Sequence, residues 1–157
     1  MQAIVCVSEN WGIGLGDELL FHLPSDMKRF KALTVGKTVI LGSRTLQTFP
    51  GGKPLAGRRN IVMTRSETPI EGAELAHSTQ EALDLGGEDA VVIGGASVYT
   101  LLLRDCDLVR VTMVFASPEA DSYFPRLDKL PDWRVASESE IMEENGLKFQ
   151  FIDYVRK

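Results

Sequence analysis

Short apolar runs alternate with polar, glycine-marked stretches along this chain. Residues 2–7 (QAIVCV), 38–42 (TVILG), 59–63 (RNIVM) and 89–93 (DAVVI) are nearly unbroken and rich in β-branched side chains. Such runs predict strands covered on both faces. Helices are expected over 24–34, 43–48, 79–85 and 96–103. A short strand near 73–76 and a longer one over 107–115 (DLVRVTMVF) complete the alternation. The tail offers two more strands, 133–139 and 147–155, with Glu143–Gly146 as the turn between them. This order predicts an α/β fold: a doubly wound mixed sheet of about eight strands with flanking helices and a C-terminal antiparallel hairpin. Residues 8–23 are polar and glycine-punctuated, a long loop of the kind that is functional or mobile. A single domain over residues 1–157 is expected.

One helix departs from its own pattern. In FHLPSDMKRF, residues 21–30, Pro24 suits the first helical position, and Ser25 and Asp26 suit the first turn. Asp26, Phe30 and Leu33 share one stripe, because i, i+4 and i+7 align on a helix. Two readings of Asp26 compete. The helix dipole alone favours a first-turn carboxylate. On an apolar stripe, however, a carboxylate is costly unless a partner matches it. The edge of a heterocycle with paired N–H donors would do so, since an ionised carboxylate accepts on two oxygens. The same helix carries Lys28, Arg29 and Lys31, and Arg58 follows Gly57 at the mouth of a strand. They are either a solvated face or an attraction for an anionic substrate tail.

The chain carries no P-loop, and GIGLG at 12–16 is not a GxGxxG fingerprint, because Asp17 follows and no helix opens there. The strand-to-helix junctions are better phosphate sites. TVILGSRT places Gly42, Ser43, Arg44 and Thr45 at a helix start, and VVIGGASVY does the same with Gly94, Gly95, Ala96 and Ser97. Helix starts present free N–H groups and a positive dipole end. A third strand end, IVMTRS, adds Thr64, Arg65 and Ser66. Arg44 and Arg65 either clamp a further phosphate or are solvated surface.

Composition narrows the partners. The formal net charge of −5 argues against non-specific nucleic-acid binding and gives no polybasic membrane signal. Cys6 and Cys106 lie in apolar runs, with no CxxC and no Cys/His cluster, so neither a metal nor a disulfide framework is indicated. No apolar run approaches the ~20 residues of a membrane span, and a cytoplasmic protein is expected.

The segments IGLGDELLFHLPSDMKRFK, TVILGSRTLQTF, PLAGRRNIVMT, VVIGGASVY, VRVTMV and ADSYFP occur in this order and spacing. Together they resemble dihydrofolate reductase, over residues 1–157. The resemblance implies NADPH-dependent reduction of 7,8-dihydrofolate to tetrahydrofolate, serving one-carbon metabolism, by a monomer that also binds antifolate inhibitors. Hydride passes from the cofactor to pterin C6, while N5 gains a proton, with a water as donor. It further implies that Asp26 binds N3 and the 2-amino group of the pterin, and that Thr112 hydrogen-bonds this acid. Met27, Phe30, Phe49, Leu55 and Ile93 would wall the pocket, and Arg58 would pair with the α-carboxylate of the substrate's glutamate tail. Ser43, Arg44, Thr45, Thr64, Arg65 and Ser66 would hold the 2′-phosphate and pyrophosphate region with Gly42. Gly94, Gly95, Ala96, Ser97, Val98 and Tyr99 would form the second phosphate turn, with a cis Gly94–Gly95 peptide. Cys6, Ile13 and Gly14 would lie at the nicotinamide, and 8–23 would be the mobile loop that closes over it.

One departure stands out. Leu20-Phe21 occupies the place of the family's usual Pro-Trp, and phenylalanine offers no N–H to hold a water near the pterin carbonyl. Two alternatives follow: a non-catalytic folate- or nucleotide-binding protein on the same fold, and the related reductase of riboflavin synthesis. The second lacks the acidic pterin anchor, so Asp26 with Arg58 argues against it. His22 and His77 are expected at the surface, and Trp11 has no evident role.

Overall fold

The computed structural model describes residues 1–157. In chain order its elements are β1 (Gln2–Val7), β2 (Gly12–Leu15), β3 (Glu18–Leu19), α1 (Pro24–Thr34), β4 (Thr38–Gly42), α2 (Ser43–Gln47), β5 (Arg59–Met63), β6 (Ala73–Ala76), α3 (Thr79–Gly86), β7 (Val91–Gly94), α4 (Ala96–Leu102), β8 (Leu108–Val114), β9 (Ser122–Tyr123), β10 (Trp133–Glu138), β11 (Met142–Glu144) and β12 (Leu147–Arg156). Eight strands line up in the order β10-β12-β8-β1-β7-β4-β5-β6, and β11 joins as a ninth beside β12. The strands from β8 to β6 run parallel, and only β12 with its partners is antiparallel. The order reverses at β1, the place where doubly wound sheets put their ligands.

The central strands are apolar because both of their faces are covered. Val5, Val7, Val39, Ile40, Leu41, Ile61, Val62, Val91 and Val92 are almost wholly buried. One face packs against α1 through Phe30 and Leu33, and the other carries the larger core around Trp11, Tyr99, Leu102 and Phe124.

Two expectations need correction. Residues 8–23 are not one irregular loop: β2 pairs with β3 on one side and with β9 on the other in a separate three-stranded sheet. The signal was weak because the strands are short and glycine-rich and find their partner a hundred residues away. Trp11 is the anchor of this segment. It is buried, stacks on Phe124 at 6.2 Å and meets Tyr154 edge-on at 5.7 Å. The tail is the second correction. The turn is only Asn145-Gly146, both at positive φ, and Met142–Glu144 forms β11 rather than turn. β12 lies between β10 and β8, so the two tail strands pair without being a simple hairpin.

Candidate active site

Helix α1 lies across the ends of β8 and β1 and aims its acid at them. It starts without a side-chain cap at Leu23. Instead, the Ser25 N–H donates to Glu144 Oε1 of β11 at 3.0 Å, and the Ser25 hydroxyl donates to the other carboxylate oxygen. This partner in trans satisfies a first-turn N–H that would otherwise be open. In the same first turn, Asp26 Oδ1 accepts a hydrogen bond from Thr112 Oγ1 at 2.6 Å. Thr112 is almost fully buried on β8, opposite Cys6 of β1. The Cys6 thiol lies beside Asp26.

Burial pushes the Asp26 carboxyl above the usual carboxylate range. The Thr112 hydrogen bond, the Arg29 charge and the neighbouring Cys6 thiol pull it back, and the Glu144 charge adds to the rise. Burial also raises the Cys6 thiol, and Asp26 beside it adds to that effect, so Cys6 is a neutral thiol.

Around this acid, Phe30, Phe49 and Ile93 are partly buried against Ile4, Val39, Leu41 and Val62. Phe21 joins a neighbouring cluster with Leu23, Val114, Phe149 and Cys6. Met27 is 55 % exposed and stands at the outer rim, not in the wall. Leu55 is fixed by its backbone: its N–H donates to Asn60 Oδ1 and its carbonyl accepts from Asn60 Nδ2, both at 3.0 Å. Asn60 Nδ2 also donates to the Arg58 carbonyl at 2.9 Å. Arg58 itself donates from Nε to the Ala56 carbonyl at 2.9 Å and from Nη1 to Thr34 Oγ1 at 3.1 Å. Thr34, fully buried, donates to the Phe30 carbonyl at 2.7 Å. Asn60 and Thr34 thus orient Arg58 and Leu55, and sequence reasoning passed over both. A polar residue within an apolar strand, or at the end of a helix stripe, is the signal that marks them.

On the other side of β7 two helix starts meet. Leu41 of β4 pairs with Gly94 of β7, which sets Gly42 beside the cis Gly94–Gly95 peptide. A Cβ on Gly95 would come within 3.0 Å of Thr45 Oγ1, and one on Gly42 within 3.2 Å of Val98 Cγ2. These glycines let the backbone of both junctions close together and stay open to a ligand. Tyr99 lies beneath, buried, its hydroxyl donating to the Ile4 carbonyl at 2.6 Å. Thr64 and Ser66 sit past β5, where the Ser66 N–H donates to Thr64 Oγ1 at 3.1 Å. Arg65 is exposed there. Arg44 is exposed too, and its Nη2 donates to Asp17 Oδ1 at 2.8 Å. Ala96 is partly buried and Ser97 exposed. Ile13 and Gly14 are buried on β2, and the small sheet is tied down by Asp121, whose carboxylate accepts from the Gly16 N–H at 3.0 Å.

The structure therefore brings the Asp26 group and the two glycine junctions to one end of one sheet. Arg29 is the residue it places elsewhere: while Lys28 and Lys31 are exposed, Arg29 turns inward over Phe151 of β12.

Known proteins resemble this chain along its whole length. The family model described as Dihydrofolate reductase matches residues 1–156. The dihydrofolate reductase of Neisseria meningitidis serogroup B is 40% identical over 157 residues, spanning 98% of this chain and 96% of that protein. That of Bacillus subtilis is 33% identical over 159 residues, spanning 98% and 93%. Among solved structures, dihydrofolate reductase from Enterococcus faecalis complexed with NADP(H) and RAB-propyl superposes with a TM-score of 0.88 at 30% identity, covering 99% of this chain and 95% of that one. With an acid-bearing first helix, a Gly-Gly junction and a full-length match, the chain belongs to the dihydrofolate reductase family.

Proposed function

We propose that this enzyme reduces 7,8-dihydrofolate to 5,6,7,8-tetrahydrofolate with NADPH, using Asp26 as the anchor of the pterin. The observation that carries this reading is the half-buried carboxylate of Asp26, held on one oxygen by Thr112 beside the apolar side chains of Phe30, Phe49 and Ile93. Such a group is tolerable where a flat, N–H-bearing ring docks on it. Asp26 takes N3 and the 2-amino group. Phe30, Phe49, Leu55 and Ile93 form the wall, with Met27 at its rim. Arg58, steadied by Thr34 and Ala56, receives the α-carboxylate of the glutamate tail.

The residues past β4, β5 and β7 fit a dinucleotide phosphate. Gly42–Thr45 and Thr64–Ser66 take the 2′-phosphate and pyrophosphate region, Gly94–Tyr99 form the second turn, and Cys6, Ile13 and Gly14 line the nicotinamide. NADPH, when bound, supplies the hydride that the pterin accepts. The protein contributes placement of two rings face to face. Asp26 acts by charge and binding, and the proton for N5 comes from water. The 8–23 segment excludes bulk solvent. Phe21 gives the cleft an apolar side with no donor, so no side chain at that position holds a water.

One family match spans residues 1–156, which fits a single domain, and action as a monomer is part of this proposal. No helix is long and apolar enough to cross a membrane, and a cytoplasmic enzyme fits that observation. Antifolates with a diamino head would compete for Asp26. The test is loss of NADPH absorbance on adding dihydrofolate to the purified protein. Consumption that needs both compounds is expected. Binding of both without consumption would leave a non-catalytic binding protein and overturn the reading.

A further inference from the structure

Behind the substrate acid, α1 buries a second ionic group that the reaction does not use. Arg29 follows Asp26 by three positions, so the two side chains share a helix face. Its guanidinium lies 4.0 Å from the centre of the Phe151 ring, and Nη2 is 3.8 Å from Asp153 Oδ1. That Oδ1 is buried and accepts no hydrogen bond. Oδ2 of Asp153 accepts from Arg110 Nη1 at 3.2 Å and from Ser137 Oγ at 3.3 Å. Arg110 Nε in turn donates to Gln2 Oε1 at 3.0 Å.

Strand register aligns this group with the acid. Phe151 of β12 stands opposite Thr112 of β8, and Asp153 stands opposite Arg110. Residues two apart on a strand share a face. Asp26 therefore sits over Thr112, and Arg29 sits over the Phe151–Asp153 step beside it. The cluster holds two arginines against one aspartate and so keeps an excess positive charge next to the substrate acid. Buried ion pairs are weak sources of stability, because desolvation offsets the attraction. A specific charge placed beside a carboxylate has a different use.

We propose that Arg29 is a positioning residue for the substrate acid: Phe151 and Asp153 fix its guanidinium beneath the cleft, so that a positive charge stays within one helical turn of Asp26. This rests on the reading of Asp26 as the substrate anchor. The other groups facing Asp26 are Thr112 on β8, Cys6 on β1 and Glu144 on β11, while Asp153 and Arg110 face Arg29. Of the charged groups, Glu144 opposes ionisation of the acid and Arg29 favours it. Without Arg29, burial and Glu144 go less opposed, and Asp26 gains its proton at a higher pH.

The experiment follows the carboxyl carbon of Asp26 by NMR titration in the unliganded protein, alongside the pH profile of kcat/KM for dihydrofolate. Arg29→Met is expected to move the titration midpoint upward, and Arg29→Lys to return it toward wild type. The acid limb of kcat/KM moves with it: a loss of roughly three- to tenfold relative to wild type on the acid side, with the ratio of variant to wild type returning toward one as pH rises. A merely structural role would lower the rate at every pH. Arg29→Gln carries the same expectation and decides the matter if circular dichroism shows Arg29→Met unfolded. A folded variant with an unmoved midpoint overturns the proposal, and so does a shifted midpoint with an unmoved rate profile. The titration needs no substrate. A shifted midpoint in a protein that never consumes NADPH would therefore sink the functional reading and leave the Arg29–Asp26 coupling standing.

Discussion

The two sides of the cleft are built on opposite plans. On the proposed pterin side the key groups are half-buried and already engaged by buried partners: Asp26 with Thr112, Arg58 with Thr34, and Leu55 with Asn60. On the phosphate side the cations stand in water: the side chains of Arg44 and its partner Asp17 are 81% and 75% exposed. The difference follows from the ligands. A neutral flat ring is recognised by a few hydrogen bonds, which are strong and selective only where water is excluded and the geometry is fixed. A phosphate carries formal charge and draws mobile arginines from a distance, so rigid burial is unnecessary. In the proposed reading, the fixed half of its recognition falls to backbone N–H groups at the Gly42 and Gly94–Gly95 junctions.

Breaking the rigid side should have the larger effect. Asp26→Asn removes the charge from two hydrogen bonds, each worth about 1.5–3 kcal/mol when charge-assisted. At neutral pH kcat/KM for dihydrofolate should fall roughly 10²–10⁴-fold, with partial recovery at low pH, where substrate arrives already protonated. A fully active variant at neutral pH would contradict the role. The same substitution should stabilise the protein. Burial raises the Asp26 pKa in the folded state, so the folded chain holds this proton more tightly than the unfolded chain does. Its contribution to stability is present at low pH and is lost as pH rises through the raised value. Near neutrality the ionised acid is therefore a cost, and the amide removes it. Each gain of about 1 kcal/mol raises Tm by roughly 2–4 °C in a chain of this size, measurable by calorimetry.

Arg58→Leu comes next, with KM for dihydrofolate raised roughly 10–100-fold by loss of a partly buried charged hydrogen-bond donor. Thr34→Val should give a smaller change of the same sign, since it only frees the guanidinium. On the exposed side, Arg44→Ala and Arg65→Ala should each raise KM for NADPH about tenfold and leave NADH untouched. Equal kcat/KM for the two cofactors in the unmodified enzyme would remove the reason for both arginines.

The contrast also explains what the sequence revealed. The sequence placed every strand of the main sheet except β11 to within about two residues, and the central parallel ones most clearly, because buried parallel strands are patterned by burial alone. Asp26 was legible as a charge on an apolar stripe, and the glycine junctions were legible as local motifs. Three features were not. Whether Arg29 is solvated or buried depends on Phe151 and Asp153, more than a hundred residues later. The small sheet of β2, β3 and β9 joins distant two- to four-residue strands, too short to show a period. Asn60 works through hydrogen bonds to the backbone of Leu55 and Arg58, and Thr34 through the Phe30 carbonyl and the Arg58 guanidinium; no spacing rule reports such bonds.

The smallest effect tests the exposed side most directly. Asp17 lies in the turn between β2 and β3, and its carboxylate holds the Arg44 guanidinium at 2.8 Å. A carboxylate and a phosphate compete for the same N–H groups. Asp17→Ala should therefore lower KM for NADPH by about two- to threefold, the opposite sign to Arg44→Ala, because a surface pair is weak in water. The gain should fade as salt is raised toward 1 M, where screening reaches ~3 Å. It should also vanish in the Arg44→Ala background, since the competitor then has nothing to release. If Asp17→Ala raises KM instead, Asp17 is orienting Arg44 rather than occupying it, and the phosphate side is as preorganised as the pterin side. Steady-state kinetics of the two single variants and the double variant, at low and high salt, separates these outcomes.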